Sequence, residues 1–196
     1  MATRSRDSKS SAVTLNDSPQ PADLIFVLAG RMDRKRYGLE FYRAGIAPRL
    51  LLSVGRYEVS KMAAIDFEGL DELIEQRNKL PADQRHFFCE VTGSGTRIEQ
   101  ARLSRWHTYG EILGLWEYLK RRMPRSLIVI SSDVHLRRVA LTIDKVFPGV
   151  HPDVRYYAVP TRDRQYFLKE MIKLAAYRVI FSLPEALIRR LMRLRN

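Results

Sequence analysis

Unbroken apolar runs alternate with helical stripes along this chain. Residues 24–28 (LIFVL) are wholly apolar, the pattern of a strand covered on both faces. Residues 49–54 (RLLLSV), 86–91, 127–130 and 154–159 repeat it less purely. Between the runs the period changes. Asp33 is placed to cap a helix with Tyr37, Phe41 and Ala44 at helical spacing, and Gly45 and Pro48 end it. A short helix is expected around Met62, and a charged one over 71–79, closed by Pro81. Residues 92–106 read as irregular, with Gly93 and Gly95 marking a loop. Over 108–122, Ile112, Leu115, Trp116 and Leu119 form a strong apolar stripe. Leu136, Val139, Ala140 and Ile143 mark the next helix, which closes before Pro148.

Strands alternating with helices predict an α/β fold: a Rossmann-like, doubly wound, mostly parallel five-stranded sheet with helices on both faces. The expected domain covers 22–162. A disordered arm rich in Ser, Pro and charge precedes it (1–21), and a basic C-terminal helical extension follows (163–196). Right-handed crossovers favour the strand order 3-2-1-4-5. In that order strands one and four meet at the switch point, where such sheets bind ligands. The loops brought together there are AGRMDR (29–34) and SSDVHLRR (131–138).

Charge sharpens this picture. Lys plus Arg number 34 against 22 Asp plus Glu, a net +12 over 196 residues, so an anionic partner is expected. A small anionic ligand or an anionic membrane face fits; no nucleic-acid-binding module is recognisable. The single cysteine, Cys89, excludes an internal disulfide and a cysteine metal site. It sits in the run HFFCEV and reads as a small buried hydrophobe. No apolar stretch approaches the ~20 residues a membrane helix needs. The expected location is cytoplasmic, with peripheral contact at the inner membrane through the basic C-terminus. There Leu187, Ile188, Leu191 and Leu194 alternate with Arg189, Arg190, Arg193 and Arg195. Docking of this helix on the domain or on a second copy is the other reading.

Ser131, Ser132 and Asp133 can cap the following helix. His135 and Arg138, three apart, share a face of its first turns, and with the helix N-terminus they form an anion site. His135 can also move a proton near neutral pH. Gly30 lets backbone approach a ligand, with Arg31 and Arg34 adding charge; Lys35 and Arg36 read as a solvated face. Ser53, Gly55, Arg56 and Glu58 line the same edge, with Glu58 either a carboxylate base or the partner of Arg56. Thr108 and Glu111 have capping-box spacing, with His107 just before them. No carboxylate cluster for a metal is evident.

These segments carry a resemblance. VLAG, then Arg34-x-x-x-Gly38-LEFYRAG-x-AP, LLLSVG and SSDVHLRRV together resemble the YdcF/SanA/ElyC-like family of bacterial proteins over about residues 23–160. The family's S-x-x-H-x-x-R falls on Ser132, His135 and Arg138, and its first-helix arginine on Arg34. Its double glycine after strand one is Ala29-Gly30 here. HTYGE, with Thr108 and Glu111, stands at about the distance where the family has S-x-N-T-x-E-N, and SGTRIEQA (94–101) is a rival match with poorer spacing. The resemblance implies a Rossmann-like cleft and a link to cell-envelope, peptidoglycan or lipid-carrier metabolism. It also implies S-adenosylmethionine as a cofactor, since one member binds it.

The combined expectation is a protein binding a nucleotide-like or phosphorylated ligand, with hydrolysis or transfer at a phosphate as the natural chemistry. His135 and Glu58 are the catalytic candidates. Gly30, Arg31, Arg34, Ser53, Gly55, Arg56, Thr108, Glu111, Ser131, Ser132 and Arg138 are the binding candidates. The alternatives are a non-enzymatic protein docking on the inner membrane and an S-adenosylmethionine-binding protein.

Overall fold

The computed structural model describes residues 19–101, 107–147, 149, 152–161, 164–184, 187 and 188. Most of the expected N-terminal arm and most of the basic segment 185–196 lie outside the described residues, as does the side chain of His107. What is described is an α/β sandwich around one mixed sheet of six strands. In chain order these are β1 (Leu24–Val27), β2 (Arg49–Val54), β3 (Phe87–Thr92), β4 (Gly95–Gln100), β5 (Ser126–Ser132) and β6 (Asp153–Val159). The helices are α1 (Met32–Arg43), α2 (Leu70–Lys79), α3 (His107–Leu119), α4 (Asp133–Val146) and α5 (Arg164–Phe181).

The strands lie in the order β4-β3-β2-β1-β5-β6. The five expected strands stand in the expected order, but the sheet has a sixth, and it is not wholly parallel. β1 pairs in parallel with β2 and β5, and β5 with β6, whereas β3 runs antiparallel to β2 and β4 to β3. The register explains the reversal. Val54 pairs with Phe87, so the connection 55–86 leaves and re-enters at one end of the sheet, as in a hairpin. β4 falls in the segment expected to be irregular. It is an edge strand with one buried apolar side chain, Ile98, and Gly93-Ser94 turn β3 back into it. An edge strand with a single apolar anchor has no legible period.

The pleat divides the core in two. Ile25, Val27, Leu50, Leu52, Ile128 and Ile130 face α1, α2 and the 3-10 turn Val59–Ala64. Leu24, Phe26, Leu28, Leu51, Leu127 and Val129 face α3 and α4. Every residue of β1 is fully buried, as its unbroken apolar run requires. Burial of each such side chain contributes about 1.5–3 kcal/mol. Cys89 sits in the first of these layers, its thiol pushed up to about 12 by burial, so it is an inert hydrophobe.

Helix α1 is rotated from its expected phase. Its inward residues are Arg34, Lys35, Gly38 and Leu39, whereas Tyr37 is exposed. Gly38 allows this close approach: a Cβ there would run into Val27 Cγ2. Arg31 occupies the N-cap position and Asp33 lies two residues on, within the first turn, accepting the Arg34 amide and pairing with Arg31. Gly45 (φ 73°) ends the helix as expected, its amide donating to Tyr42 O while Ile46 N donates to Phe41 O.

Candidate functional site

The carboxyl ends of β1 and β5 meet at the sheet's switch point, where Leu28 N donates to Ile130 O. Helix α1 leaves from one strand and α4 from the other. Their first turns therefore deliver Arg34, His135 and Arg138 to one place, backed by Ser131 and Ser132 from the end of β5. Ser132 holds the N-cap position of α4, yet its hydroxyl does not cap; it accepts from Arg34 Nη2 at 2.9 Å. Of the candidate caps, Asp133 takes a first-turn amide, that of Val134.

His135 is the hub of this cluster. Its Nδ1 lies 2.9 Å from Ser131 Oγ and 3.5 Å from Arg34 Nη1; its Nε2 lies 3.1 Å from Thr108 Oγ1. The Ser131 and Thr108 hydroxyls can each donate or accept, and a guanidinium only donates, so the Arg34 contact favours a lone pair on Nδ1. Burial lowers the imidazole pKa well below its ordinary value, and Arg138, Arg34 and Lys173 push the same way. The ring is neutral at pH 7. Thr108 also accepts from Arg138 Nη1, in a short contact. Thr108 and Glu111 are thus not a capping box. Both lie inside α3 and reach across to neighbouring elements.

Two guanidiniums flank the ring. Arg138 is answered by Glu170 of α5, which accepts from Nε at 3.1 Å and Nη2 at 2.7 Å, and Tyr177 lies beneath it. Arg34, 1 % exposed, has no such answer. It donates to Ala29 O (2.8 Å), Ser132 Oγ and Tyr166 OH (3.2 Å), all neutral, and its buried Nε has no partner. Among the described residues no carboxylate oxygen comes within 4.0 Å of it. Gly30 (φ 128°) makes room for it, since a Cβ there would sit 3.2 Å from Arg34 Nη1.

A second buried cluster abuts the first. Lys35, expected on a solvated face, is fully buried and donates to Glu58 Oε1 at 2.6 Å and Leu28 O at 3.2 Å. The other oxygen of Glu58 accepts the Gly55 amide at 2.8 Å. The partner of Glu58 is therefore Lys35 and not Arg56, which is exposed and stacks on Tyr57. Ser53 Oγ lies 2.7 Å from His86 Nε2. Glu111 Oε1 accepts the Ala29 amide at 2.6 Å. Burial pushes the Glu111 carboxyl up; the Ala29 amide, Ser53 and Lys35 oppose this, and nearby Glu58 adds to it. Ala29 links the clusters, its amide to Glu111 and its carbonyl to Arg34.

The predicted residues thus fall into three groups. Gly30, Arg34, Thr108, Ser131, Ser132, His135 and Arg138 converge on one point. Ser53, Gly55, Glu58 and Glu111 form the adjoining cluster. Arg31 and Arg56 stand outside both, exposed at the rim. Arg36 is solvated, as expected.

Sequence reasoning missed Lys35, His86, Tyr166, Glu170 and Tyr177. A signal existed for three of them. Lys35 is in phase with Gly38, Leu39 and Tyr42 on α1. Glu170 is in phase with Leu174 and Tyr177 on α5, and all three are buried. A charged residue at the end of an apolar stripe was the readable clue. Helix α5 closes the cluster, so His135 is only 6 % exposed. A cavity of about 180 Å³ lies apart from it, lined by Tyr37, Phe41, Ile130, Tyr157, Ala158, Val159 and Pro160. No family model matches the chain, and no curated protein or solved structure matches it.

Proposed function

We propose that this chain binds a small phosphorylated or nucleotide-like anion in a Rossmann-like cleft between β1 and β5 and acts on its phosphate. The observation that supports this reading is Arg34: a buried guanidinium with no carboxylate to neutralise it among the described residues, beside a second one paired with Glu170. A buried cation without a counterion is costly, and a bound anion removes that cost. Arg34 and Arg138 grip the phosphate oxygens, Ser132 and the Gly30 backbone position them, and Glu170 yields its place on Arg138. The resemblance of Ser132, His135 and Arg138 to the YdcF/SanA/ElyC-like motif points the same way and adds a role in envelope metabolism.

The chemistry follows from the neutral ring. A neutral imidazole has a free lone pair, so His135 can accept a proton. It takes the proton of a water or hydroxyl attacking phosphorus, while the P–O bond to the leaving group breaks and that oxygen keeps the electron pair. The guanidiniums bear the charge that builds on the phosphoryl oxygens. In this scheme Glu58 anchors the 55–58 turn, since Lys35 and Gly55 occupy both its oxygens.

Thermal melting at low salt with pyrophosphate, nucleoside diphosphates, sugar nucleotides and S-adenosylmethionine tests the reading. A phosphorylated probe raises the midpoint as its concentration grows, and Arg34→Met abolishes the response. No shift with any phosphorylated probe, or an undiminished shift in Arg34→Met, overturns it.

A further inference from the structure

Helix α5 has two working faces, and the cleft uses one of them. Tyr166, Glu170, Leu174 and Tyr177 turn inward. On the other side Phe167, Leu168, Met171, Ile172 and Val179 recur at helical spacing and stand in solvent. Leu168 and Ile172 are each 63 % exposed and Val179 65 %. Single exposed hydrophobes are ordinary; a contiguous stripe on one helix marks a contact surface.

The charge around the stripe chooses the occupant. Exposed Lys169 and Arg178 flank the stripe on the outer surface of α5; Lys173, half-exposed, reaches back to Glu170 at 2.9 Å, so the acid of that helix is turned inward. From Arg164 to Asn196 eight basic residues face two acidic ones, which is half of the chain's net +12. A second copy packed stripe to stripe would oppose like charges. Nucleic acid would match the charge and leave the large apolar side chains without partners. An anionic bilayer matches both, since acyl chains take the apolar stripe and headgroups take the Lys and Arg rim. No helix among the described residues is long and apolar enough to cross a membrane, so the contact lies in the plane of the interface.

We infer that α5 is an interfacial helix. Phe167, Leu168, Met171, Ile172 and Val179 enter the headgroup–acyl boundary of an anionic lipid surface, and Lys169 and Arg178 bind the headgroups. This surface is distinct from the expected membrane contact at 184–196 and independent of what the cleft binds.

Cosedimentation of the full chain with vesicles tests it. Vesicles of equal parts phosphatidylglycerol and phosphatidylcholine bind the protein, pure phosphatidylcholine does not, and high salt releases it. Leu168→Glu with Ile172→Glu changes two exposed positions. It leaves the melting midpoint in place and weakens vesicle binding by at least about tenfold. Lys169→Gln with Arg178→Gln weakens binding in the same direction. The inference fails if the wild type ignores anionic vesicles, or if the Glu double variant still binds them as the wild type does. It also fails if the wild type is a dimer that this variant turns into a monomer, which would give the face to a second copy.

Discussion

Arg34 and Lys35 are neighbours on one helix, both are buried, and their charges are met in opposite ways. Lys35 is closed: its ammonium meets a carboxylate at 2.6 Å, and both oxygens of that carboxylate are used. Arg34 is open: every acceptor it touches is neutral and one nitrogen has none. Burial alone therefore does not distinguish a structural cation from a binding one. The local balance of charge does, because a closed pair has nothing left to offer a ligand.

Breaking the closed pair carries the largest expected effect. Lys35→Met strands the Glu58 carboxylate in the interior and lowers stability by about 3–5 kcal/mol in urea unfolding. Stability near the wild type would mean that Glu58 is neutral or solvated and that the contrast with Arg34 is false. Next comes the contact that seats both cations. Gly38→Ala drives a methyl group into Val27, and overpacking costs about 1–3 kcal/mol, partly offset by better helix propensity of about 1 kcal/mol. Pushing α1 outward also weakens any pyrophosphate response, so the two readouts should fall together.

Opening the other side costs less. Arg34→Met removes an uncompensated buried cation and at the same time leaves neutral acceptors unpaired; the two terms oppose, so the net loss is at most about 1–2 kcal/mol. A loss as large as that of Lys35→Met would show that Arg34 has a charged partner after all. Glu170→Gln sharpens the same contrast from the opposite direction. It removes the carboxylate that occupies Arg138, and pyrophosphate should raise the midpoint more than in the wild type at equal concentration.

The smallest effect is a pH dependence. His135 has a folded-state pKa depressed below its ordinary 6.5, so the unfolded chain takes up a proton that the folded chain refuses. Stability from this group is complete above about 6.5 and declines as pH falls, by about 1 kcal/mol over the first unit. Glu111, with a raised pKa, acts in the opposite sense, so the measurement is wild type against His135→Gln between pH 7.5 and 5.5, in which the Glu111 contribution cancels. Equal slopes in the two proteins would show that the folded ring takes up its proton as readily as the unfolded one.

Much of the fold was legible because burial on both faces leaves its mark in the chain. β1 has no polar position to hide its period, and the stripe of α3 at Ile112, Leu115 and Leu119 is equally plain. β4 was not legible, since an edge strand has one apolar anchor. The direction of β3 was not legible either: it depends on where the 55–86 connection returns, and nothing local to His86–Val91 records that.

For the candidate site the division is similar. The sequence by itself determined which residues could meet: strand order and the switch point put Gly30, Arg34, Ser132, His135 and Arg138 at one end of the sheet. Only the tertiary structure decided how their charges are balanced. Whether Lys35 faces in or out turns on the phase of α1 against Val27, through Gly38. Whether Arg138 is answered turns on α5, whose Glu170 lies 32 residues away in the chain. Pairing of charge is a short-range property of space, falling off over a few ångströms, and sequence distance carries no trace of it.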